Sequence, residues 1–115
     1  MEYNLEFWNA LDNFVQQSEI VIDRPKGSVH PNFHDFFYEV DYGYLKNTKS
    51  MDGGGIDVWR GTDKEQKVDA IMCTLDLKKR DSEIKILIGC TEKEKQKIFH
   101  THNDKPNMKG ILIRR

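Results

Sequence analysis

Short segments rich in β-branched and aromatic residues recur along this chain with turn-forming residues between them, a pattern that limits the folds open to it. Such segments are typical of β-strands, and they lie at residues 20–22, 36–44, 56–60, 68–75, 83–89 and 110–114. Helical segments do not alternate regularly with them, so the pattern predicts an antiparallel sheet. We expect that sheet to curl into a small OB-like barrel of five or six strands, because closure removes exposed strand edges.

Two helices are predicted near the ends of the chain. Apolar residues recur at helical spacing between residues 3 and 17, at Leu5, Trp8, Leu11, Phe14 and Val15, and we expect this helix to pack on the sheet rather than bind a partner. Thr91 and Glu94 form a capping box, which predicts a second helix from there to about residue 102. The predicted fold class is α+β, in a single domain over residues 1–115.

Charge and cysteine content narrow the class of protein. Lysine and arginine number 18 against 19 for aspartate and glutamate, a formal net charge of −1, whereas nucleic-acid and membrane-surface binders usually carry a basic excess. No apolar run approaches the roughly 18 residues of a membrane span, and acidic residues near the N-terminus argue against a signal peptide. Cys73 and Cys90 lie in apolar segments, which indicates buried free thiols in a reducing cytoplasm.

Two carboxylates bracket a run of three glycines in the middle of the chain. Asp52 and Asp57 lie five residues apart around Gly53, Gly54 and Gly55. Glycines let a ligand approach the backbone closely, and one or two carboxylates can hold Mg²⁺ when waters and phosphate oxygens fill its other positions. The same Asp-Gly pattern is also typical of an ordinary hairpin turn. Asp57 favours the metal interpretation, because aspartate is disfavoured inside a strand.

A second charged group follows at Asp76, Asp81, Glu83 and Lys85. Glu83 and Lys85 share one face of a strand because side chains alternate, and an acid beside a base suits a metal ion with a phosphate. A solvated hairpin at residues 77–82 explains the same charges without any function.

The tyrosines and histidines are the remaining candidates. Tyr38 and Tyr42 lie four residues apart, so on a strand both would face the same way. They are either hydrogen-bond donors to a phosphate or core residues whose hydroxyls reach solvent. The histidines lack the spacing of a zinc site and are expected on loops or helix ends: His30, His34, His100 and His102.

Three segments together resemble the soluble, Mg²⁺-dependent inorganic pyrophosphatases with a barrel fold. Residues 22–28 (Ile-Asp-Arg-Pro-Lys-Gly-Ser) are similar to that family's Glu-x-Pro-Lys-Gly segment, and residues 37–44 (Phe-Tyr-Glu-Val-Asp-Tyr-Gly-Tyr) to its Tyr-Pro-x-Asn-Tyr-Gly segment. Residues 52–58 (Asp-Gly-Gly-Gly-Ile-Asp-Val) stand at the spacing of the signature Asp-Gly-Asp-Pro-x-Asp-Val. The resemblance covers about residues 20–90 of the chain.

The resemblance implies roles for individual residues. The family's metal-binding and active-site carboxylates match, in chain order, Asp23, Asp52, Asp57, Asp76 and Glu83. Lys85 follows Glu83 as in the family's Asp-x-Lys pair, and Tyr38 and Tyr42 match its two tyrosines. His102 and Asn103 fall where the family has a Tyr-Lys pair that binds product phosphate.

The chain departs from that family in two places. The middle aspartate of the signature, which helps to activate the attacking water in the family, is Gly54 here. Loss of a general base typically costs about 10²–10⁴ in rate. Only 12 residues separate Pro25 from Tyr38, too few for the family's hairpin with its phosphate-binding Lys and Arg, and the nearest cations are Arg24, Lys26 and His30.

These features lead to competing hypotheses. The first is a divergent pyrophosphatase-type hydrolase that uses Mg²⁺, as one ion or as two or more, to hydrolyse diphosphate. Its expected catalytic residues are Asp57, Tyr38 and Lys85, and its expected substrate-binding residues are Arg24, Lys26, His30 and Tyr42. The alternative is an inactive relative that binds a phosphorylated ligand or a protein partner. An oligonucleotide-binding barrel is disfavoured because it would need a basic stripe.

The chain is also expected to self-associate as a homo-oligomer. A core of 115 residues has limited room for the abundant aromatic residues, which include Trp8, Phe36, Phe37, Trp59 and Phe99. Apolar surface in excess of what a core can bury usually marks an interface, and members of the family that the chain resembles are oligomers.

Overall fold

The computed structural model describes residues 4–115, which form two helices and one six-stranded sheet. In chain order the elements are α1 (Leu5–Gln16), β1 (Ile20–Arg24), β2 (Asp41–Leu45), β3 (Ile56–Arg60), β4 (Val68–Asp76), β5 (Asp81–Ile88), α2 (Glu92–Thr101) and β6 (Met108–Arg114). The predicted α+β class, with one helix near each end, is confirmed. Neither of these helices is long and apolar enough to cross a membrane.

The sheet differs from the antiparallel barrel that the strand pattern predicts. Its strands follow the order β1-β2-β3-β5-β4-β6, with β1 and β6 at the two edges, so the sheet is open. β3 and β5 pair in parallel, while every other neighbouring pair is antiparallel. The parallel pair arises because β4 does not lie next to β3 in the sheet. The chain turns back after β4, and β5 occupies the position between β3 and β4. Residues 36–40, predicted as extended, lie outside the six strands.

One helix covers each face of the sheet. α1 packs its Trp8, which is 3% exposed, against apolar residues of one face, among them Leu45, Val58, Ile71, Ile86 and Ile88. Ile98 of α2 belongs to the cluster on the opposite face, with Tyr38, Val40, Trp59, Ala70, Met72, Leu87 and Cys90. Because side chains alternate along a strand, residues 83, 85 and 87 of β5 share the α2 face, which also carries the polar residues described below.

The start of α2 forms as the capping box predicts. The Thr91 hydroxyl accepts a hydrogen bond from the backbone N–H of Glu94 at 3.2 Å, and the Glu94 carboxylate accepts one from the N–H of Thr91 at 2.8 Å. Just before this helix, Cys90 is buried, and burial raises the pKa of its thiol to about 12. Cys73 is also a free thiol but is only half-buried, so the expectation of two buried thiols is met by Cys90 alone.

Gly43 permits the close contact between β1 and β2. A Cβ atom at this position would lie 1.8 Å from the carbonyl oxygen of Val21 on β1, a distance that no side chain could tolerate. The glycine between Tyr42 and Tyr44 is therefore required by strand packing. It lets β1 lie close enough to bring Arg24 opposite Tyr42.

Candidate metal and phosphate site

A buried lysine lies at the centre of the polar residues on the α2 face. The Lys85 ammonium donates to the Asp57 carboxylate at 2.7 Å, to the Tyr42 hydroxyl at 3.0 Å and to the Glu83 carboxylate at 3.3 Å. An ammonium has three N–H donors, so all three are used. We call these four residues the Lys85 cluster.

The parallel strand pair brings this cluster together. Val58 of β3 lies opposite Ile86 of β5, so the preceding residues, Asp57 and Lys85, are also side by side. β2 adds Tyr42 from the other side of β3. The sequence predicts that Glu83 and Lys85 share a face. The structure adds Asp57, which is 28 residues from Lys85 along the chain, as a further partner of Lys85.

Burial and charge shift the pKa values inside the cluster. Burial opposes the charge of Lys85, but Tyr42 and Asp57 outweigh it and raise the pKa of the ammonium, which therefore stays protonated at neutral pH. Burial raises the pKa of the Tyr42 hydroxyl, so this hydroxyl keeps its proton at neutral pH while it accepts from Lys85. Burial also raises the pKa of Glu83, against the charge of Lys85, and the carboxylates of Asp57 and Asp52 raise it further.

The carboxylates fit a metal ion of a particular kind. Within residues 4–115, no group of three or more His, Cys, Asp or Glu side chains is arranged to hold a metal ion. Asp57 and Glu83 nevertheless converge on one point, with side chains 21% and 11% exposed, and their charge exceeds that of Lys85. Mg²⁺ is often held by one or two carboxylates plus substrate phosphates rather than by an all-protein cage. Two converging carboxylates are a donor set of the kind that such an ion uses.

Asp52 lies near the cluster but is engaged by its own loop. One oxygen of its carboxylate accepts hydrogen bonds from the Gly54 N–H at 2.9 Å and the Ser50 hydroxyl at 2.8 Å. These bonds, from Gly54 first and Ser50 second, lower its pKa. This is the turn interpretation of the Asp-Gly pattern, and the second carboxylate oxygen is not used by these bonds.

Three of the residues predicted to bind phosphate lie beside the cluster. Arg24 donates to the Tyr38 hydroxyl at 2.5 Å, and the rings of Tyr38 and Tyr42 are 5.2 Å apart. The His30 ring stacks near Tyr38 at 6.3 Å, and its Nδ1 accepts a hydrogen bond from the N–H of Asn32. Burial lowers the pKa of His30, with further contributions from the charges of Arg24 and Lys79. His30 is therefore neutral at pH 7.

Three other predicted residues are not brought into the cluster. Asp23 is exposed on β1. Asp76 accepts hydrogen bonds from the backbone N–H groups of Lys78 and Lys79, so its carboxylate caps the β4–β5 turn. Lys26 lines a cleft of about 510 Å³ between its loop and α2, and Tyr38 also lines this cleft.

His102 and Asn103 match a phosphate-binding pair by position. In the structure both form hydrogen bonds that stabilise the fold. His102 is 5% exposed, and its Nε2 accepts a hydrogen bond from the indole of Trp59 at 3.1 Å. Burial lowers the pKa of this histidine to about 3. The Asn103 amide bonds to the backbone of Phe99 and Gly110. The phosphate role implied for this pair is corrected, because a neutral buried ring and a fully engaged amide have nothing to offer an anion.

The sequence analysis did not predict that Trp59 lies between the Lys85 cluster and His102. Its ring lies 4.6 Å from that of Tyr42 and 5.7 Å from that of His102, so it separates the charged cluster from the neutral pair. Its position two residues after Asp57 in a strand, on the same face, was the available signal.

Comparison with known proteins supports the fold. No protein-family model and no curated protein matches the sequence. The structure is similar to that of the inorganic pyrophosphatase of the pathogenic bacterium Helicobacter pylori, with a TM-score of 0.57 and 14% identity over 85% of each chain. The chain has a pyrophosphatase-like fold. Because identity is so low, this similarity supports the architecture and leaves activity to be argued from the site.

Proposed function

We propose that this protein is a Mg²⁺-dependent phosphohydrolase of the inorganic pyrophosphatase type, which takes up diphosphate together with its metal ion and hydrolyses it slowly to two phosphates. The observation that carries the proposal is the Lys85 cluster. Burial of two carboxylates around one ammonium costs desolvation free energy, so stability alone does not explain this arrangement. The two carboxylates are the donors that a metal–diphosphate complex requires.

The cluster residues have distinct parts in this proposal. Lys85 holds Asp57 and Glu83 in fixed directions, and its longest contact, 3.3 Å to Glu83, is the one that a phosphate oxygen would replace most easily. Asp57, Glu83 and Asp52 would hold the metal through their free oxygens. When bound, Mg²⁺ offsets phosphate charge and lowers the pKa of a coordinated water. Because Gly54 has no carboxylate, the Glu83 oxygen that contacts Lys85 would serve as the proton acceptor once a phosphate had replaced that contact, while its other oxygen would hold the metal.

Arg24 and Tyr38 are proposed to bind the phosphate farther from the metal. A guanidinium has five N–H donors, and Arg24 uses one of them on Tyr38. Its remaining donors suit a phosphate oxygen, and Tyr38 sets its orientation. A charge-assisted bond of this kind is about twice as strong as a neutral one.

The rate is expected to be low. The family's middle aspartate is missing at Gly54, and loss of a general base typically costs about 10²–10⁴. A site that keeps metal, lysine and arginine but lacks this base would retain part of the catalytic effect.

Phosphate release from diphosphate tests the proposal. Wild type should release phosphate with Mg²⁺ and not with a chelator, and Asp57→Asn should reduce the rate about a hundredfold. Glu39→Gln removes an exposed carboxylate that forms no ion pair within residues 4–115 and should leave the rate unchanged. Asp57→Asn protein purified in the same way also controls for a contaminating pyrophosphatase. Equal rates in wild type and Asp57→Asn would contradict the proposal.

A second candidate function is binding of a phosphorylated ligand without turnover. It is favoured by the engagement of Asp52 with its own loop through Ser50 and Gly54. Mg²⁺-dependent binding of diphosphate with no phosphate release would support this candidate in place of the first.

We also infer that the chain self-associates in the cytoplasm. Trp8 and Trp59 are buried in the monomer, but other large apolar side chains are 40% to 72% exposed, among them Phe7, Phe37, Met51, Ile84 and Ile111. Exposed apolar side chains in this number favour an interface. A monomer mass in sedimentation at micromolar concentration would contradict this inference.

A further inference from the structure

A cleft of about 500 Å³ lies between α1 and the sheet. Its walls come from α1, from residues 49–51 before the three glycines, and from strands β4 and β5. Most of the residues that line it are apolar, among them Phe7, Leu11, Phe14, Met51, Ile84 and Ile86. A concave site of this size with largely apolar walls is typical of binding sites for small organic molecules. We call it the α1 cleft.

The apolar walls of the α1 cleft are open to solvent. Phe14 is 41% exposed, Met51 72% and Ile84 45%. A contiguous group of exposed apolar side chains usually marks a ligand site or an interface. Phe37 and Ile111, which are also exposed, are not part of the cleft lining. Self-association therefore has apolar surface to use outside the cleft.

The α1 cleft borders the Lys85 cluster at two residues. On β5 the pairing with β3 begins at Ile86, so Glu83 lies before the paired residues, near the end of the sheet. Glu83 lines the cleft and also contacts the Lys85 ammonium at 3.3 Å. Ser50 lines the cleft as well, and its hydroxyl donates to the Asp52 carboxylate at 2.8 Å. A ligand held at these carboxylates therefore has the α1 cleft within reach.

The charges of the α1 cleft complement an anion that carries an apolar group. Within residues 4–115 its charged lining residues are Lys49 and Glu83, and the Lys49 ammonium forms no ion pair with any residue of that range. Lysine is a common ligand of phosphate groups. Inorganic diphosphate would leave the apolar walls uncovered, whereas a diphosphate ester of a hydrocarbon chain would cover them.

We propose that the protein binds and hydrolyses an organic diphosphate ester, whose diphosphate occupies the Lys85 cluster with Mg²⁺ and whose hydrocarbon chain occupies the α1 cleft. This inference rests on the proposed function, because the same site holds the diphosphate.

The reaction is the same hydrolysis with a different product. The oxygen of a water molecule bonds to the terminal phosphorus, and Glu83 accepts a proton of that water. The bond from the terminal phosphorus to the bridging oxygen breaks, and its electron pair leaves with the ester phosphate. The products are inorganic phosphate and an alkyl monophosphate.

Calorimetry with Mg²⁺ and two esters of methylenediphosphonate, a diphosphate analogue that resists hydrolysis, tests the proposal. The octyl and methyl esters carry the same charge and differ only in chain length. The octyl ester should bind wild type about a hundredfold more tightly, because each buried methylene group contributes about fourfold. Phe14→Ser removes one wall of the cleft and should reduce this preference about tenfold. Leu5→Ser changes an exposed apolar residue of α1 outside the cleft lining and should leave the preference unchanged.

Alkylation of the two cysteines locates the chain by a second method. Cys73 lines the α1 cleft and is half-buried, whereas Cys90 is 2% exposed and is not part of the lining. With Mg²⁺ present, a saturating concentration of the octyl ester should slow the reaction of Cys73 with iodoacetamide, and the methyl ester should not. The reaction of Cys90 in the same sample is the control for unfolding and should be equal with both esters.

The possible results separate this inference from the proposed function. Equal affinity of wild type for the two esters would overturn the chain site and leave the proposed function standing. If neither ester binds with Mg²⁺ present, and imidodiphosphate, an inorganic analogue that also resists hydrolysis, does not bind either, the proposed function and the chain site both fall.

Two further results would also overturn the chain site. Binding of the octyl ester that is equally tight without Mg²⁺ would show an apolar contact unconnected with the Lys85 cluster. An octyl preference unchanged in Phe14→Ser would place the chain outside the α1 cleft. If Phe14→Ser then also sediments at a lower mass than wild type, a second copy of this chain is the occupant of the cleft.

Discussion

Two groups of buried polar residues lie on the α2 face of the sheet, on either side of Trp59, and they differ in charge. The Lys85 cluster concentrates ionised groups, with its ammonium bound by two carboxylates and a phenol. The second group, His102 with Asn103, is neutral and bonds to an indole and to backbone groups. Both positions match functional positions of the pyrophosphatases in the sequence. Only the first retains the charges that phosphate chemistry uses.

A match in sequence position is informative only together with the chemical state of the matched side chain. A matched residue can take part in phosphate chemistry only when it has a donor or acceptor to spare. Asp57 and Glu83 meet this requirement, since each carboxylate has an oxygen beyond its bond to Lys85. His102 does not, because its pKa is lowered to about 3 and its ring nitrogens face Trp59 and Met108.

Removal of the Lys85 charge should have the largest effect on the free energy of unfolding. Lys85→Met leaves two partly buried carboxylates unpaired, and breaking a buried ion pair typically costs about 3–5 kcal/mol. We expect a loss of unfolding free energy in that range at pH 7.5 and a smaller loss at pH 5, because burial raises the pKa of Glu83 and this carboxylate can then take up a proton. Urea unfolding at both pH values measures it. A loss of less than 1 kcal/mol, or one independent of pH, would mean that the cluster is not a charged unit.

The neutral pair should also stabilise the fold less as pH falls, but through protonation of His102 and not of a carboxylate. The pKa of His102 is about 3 in the folded state and 6.5 in its ordinary range, so the unfolded chain binds a proton that the folded chain rejects. Its contribution to stability is therefore lost as pH falls below 6.5. By pH 4.5 the loss should reach about 2–3 kcal/mol.

His102→Gln isolates this contribution, since its amide oxygen can still accept from Trp59. Relative to wild type, the variant should become more stable as pH falls from 7 to 4.5. A constant stability difference over this range would show that His102 takes up a proton in the folded protein as readily as in the unfolded chain, and would remove the contrast with the Lys85 cluster.

A carboxylate introduced at Gly54 should increase the activity of the Lys85 cluster. Gly54 has no positive φ, and a Cβ there would lie 3.2 Å from the Asp52 carboxylate, so an aspartate needs only a small adjustment of that side chain. Gly54→Asp should raise Mg²⁺-dependent phosphate release at least tenfold, or about 1.4 kcal/mol in the barrier. Gly54→Asn has the same shape without a base and is the matched control. Equal rates for the two variants would count against an impaired enzyme.

Local rules explain which parts of the fold were predictable. The capping box at Thr91 and Glu94 depends on residues three apart, so the start of α2 could be read directly. The turn at Asp52 was likewise one of two local interpretations. The parallel pairing of β3 with β5 depends on where a later hairpin inserts, which no local pattern contains.

The candidate site shows the same division. Asp57 stood out because aspartate is unusual in a strand, and the pairing of Glu83 with Lys85 followed from alternation. That both carboxylates share one ammonium required the parallel register. The burial of His102 depends on Trp59, 43 residues away along the chain, so its neutral state could not be inferred from spacing.

Metal binding in the presence of a diphosphate tests most directly whether the Lys85 cluster is a functional site. Mg²⁺ should bind wild type measurably with imidodiphosphate present and far more weakly without it, because two carboxylates alone make an incomplete shell. Asp57→Asn should weaken that binding at least tenfold, a loss of about 1.4 kcal/mol, while Glu39→Gln should not. Binding of Mg²⁺ that is the same in Asp57→Asn as in wild type, or no binding in either, would contradict a metal–diphosphate site at this cluster.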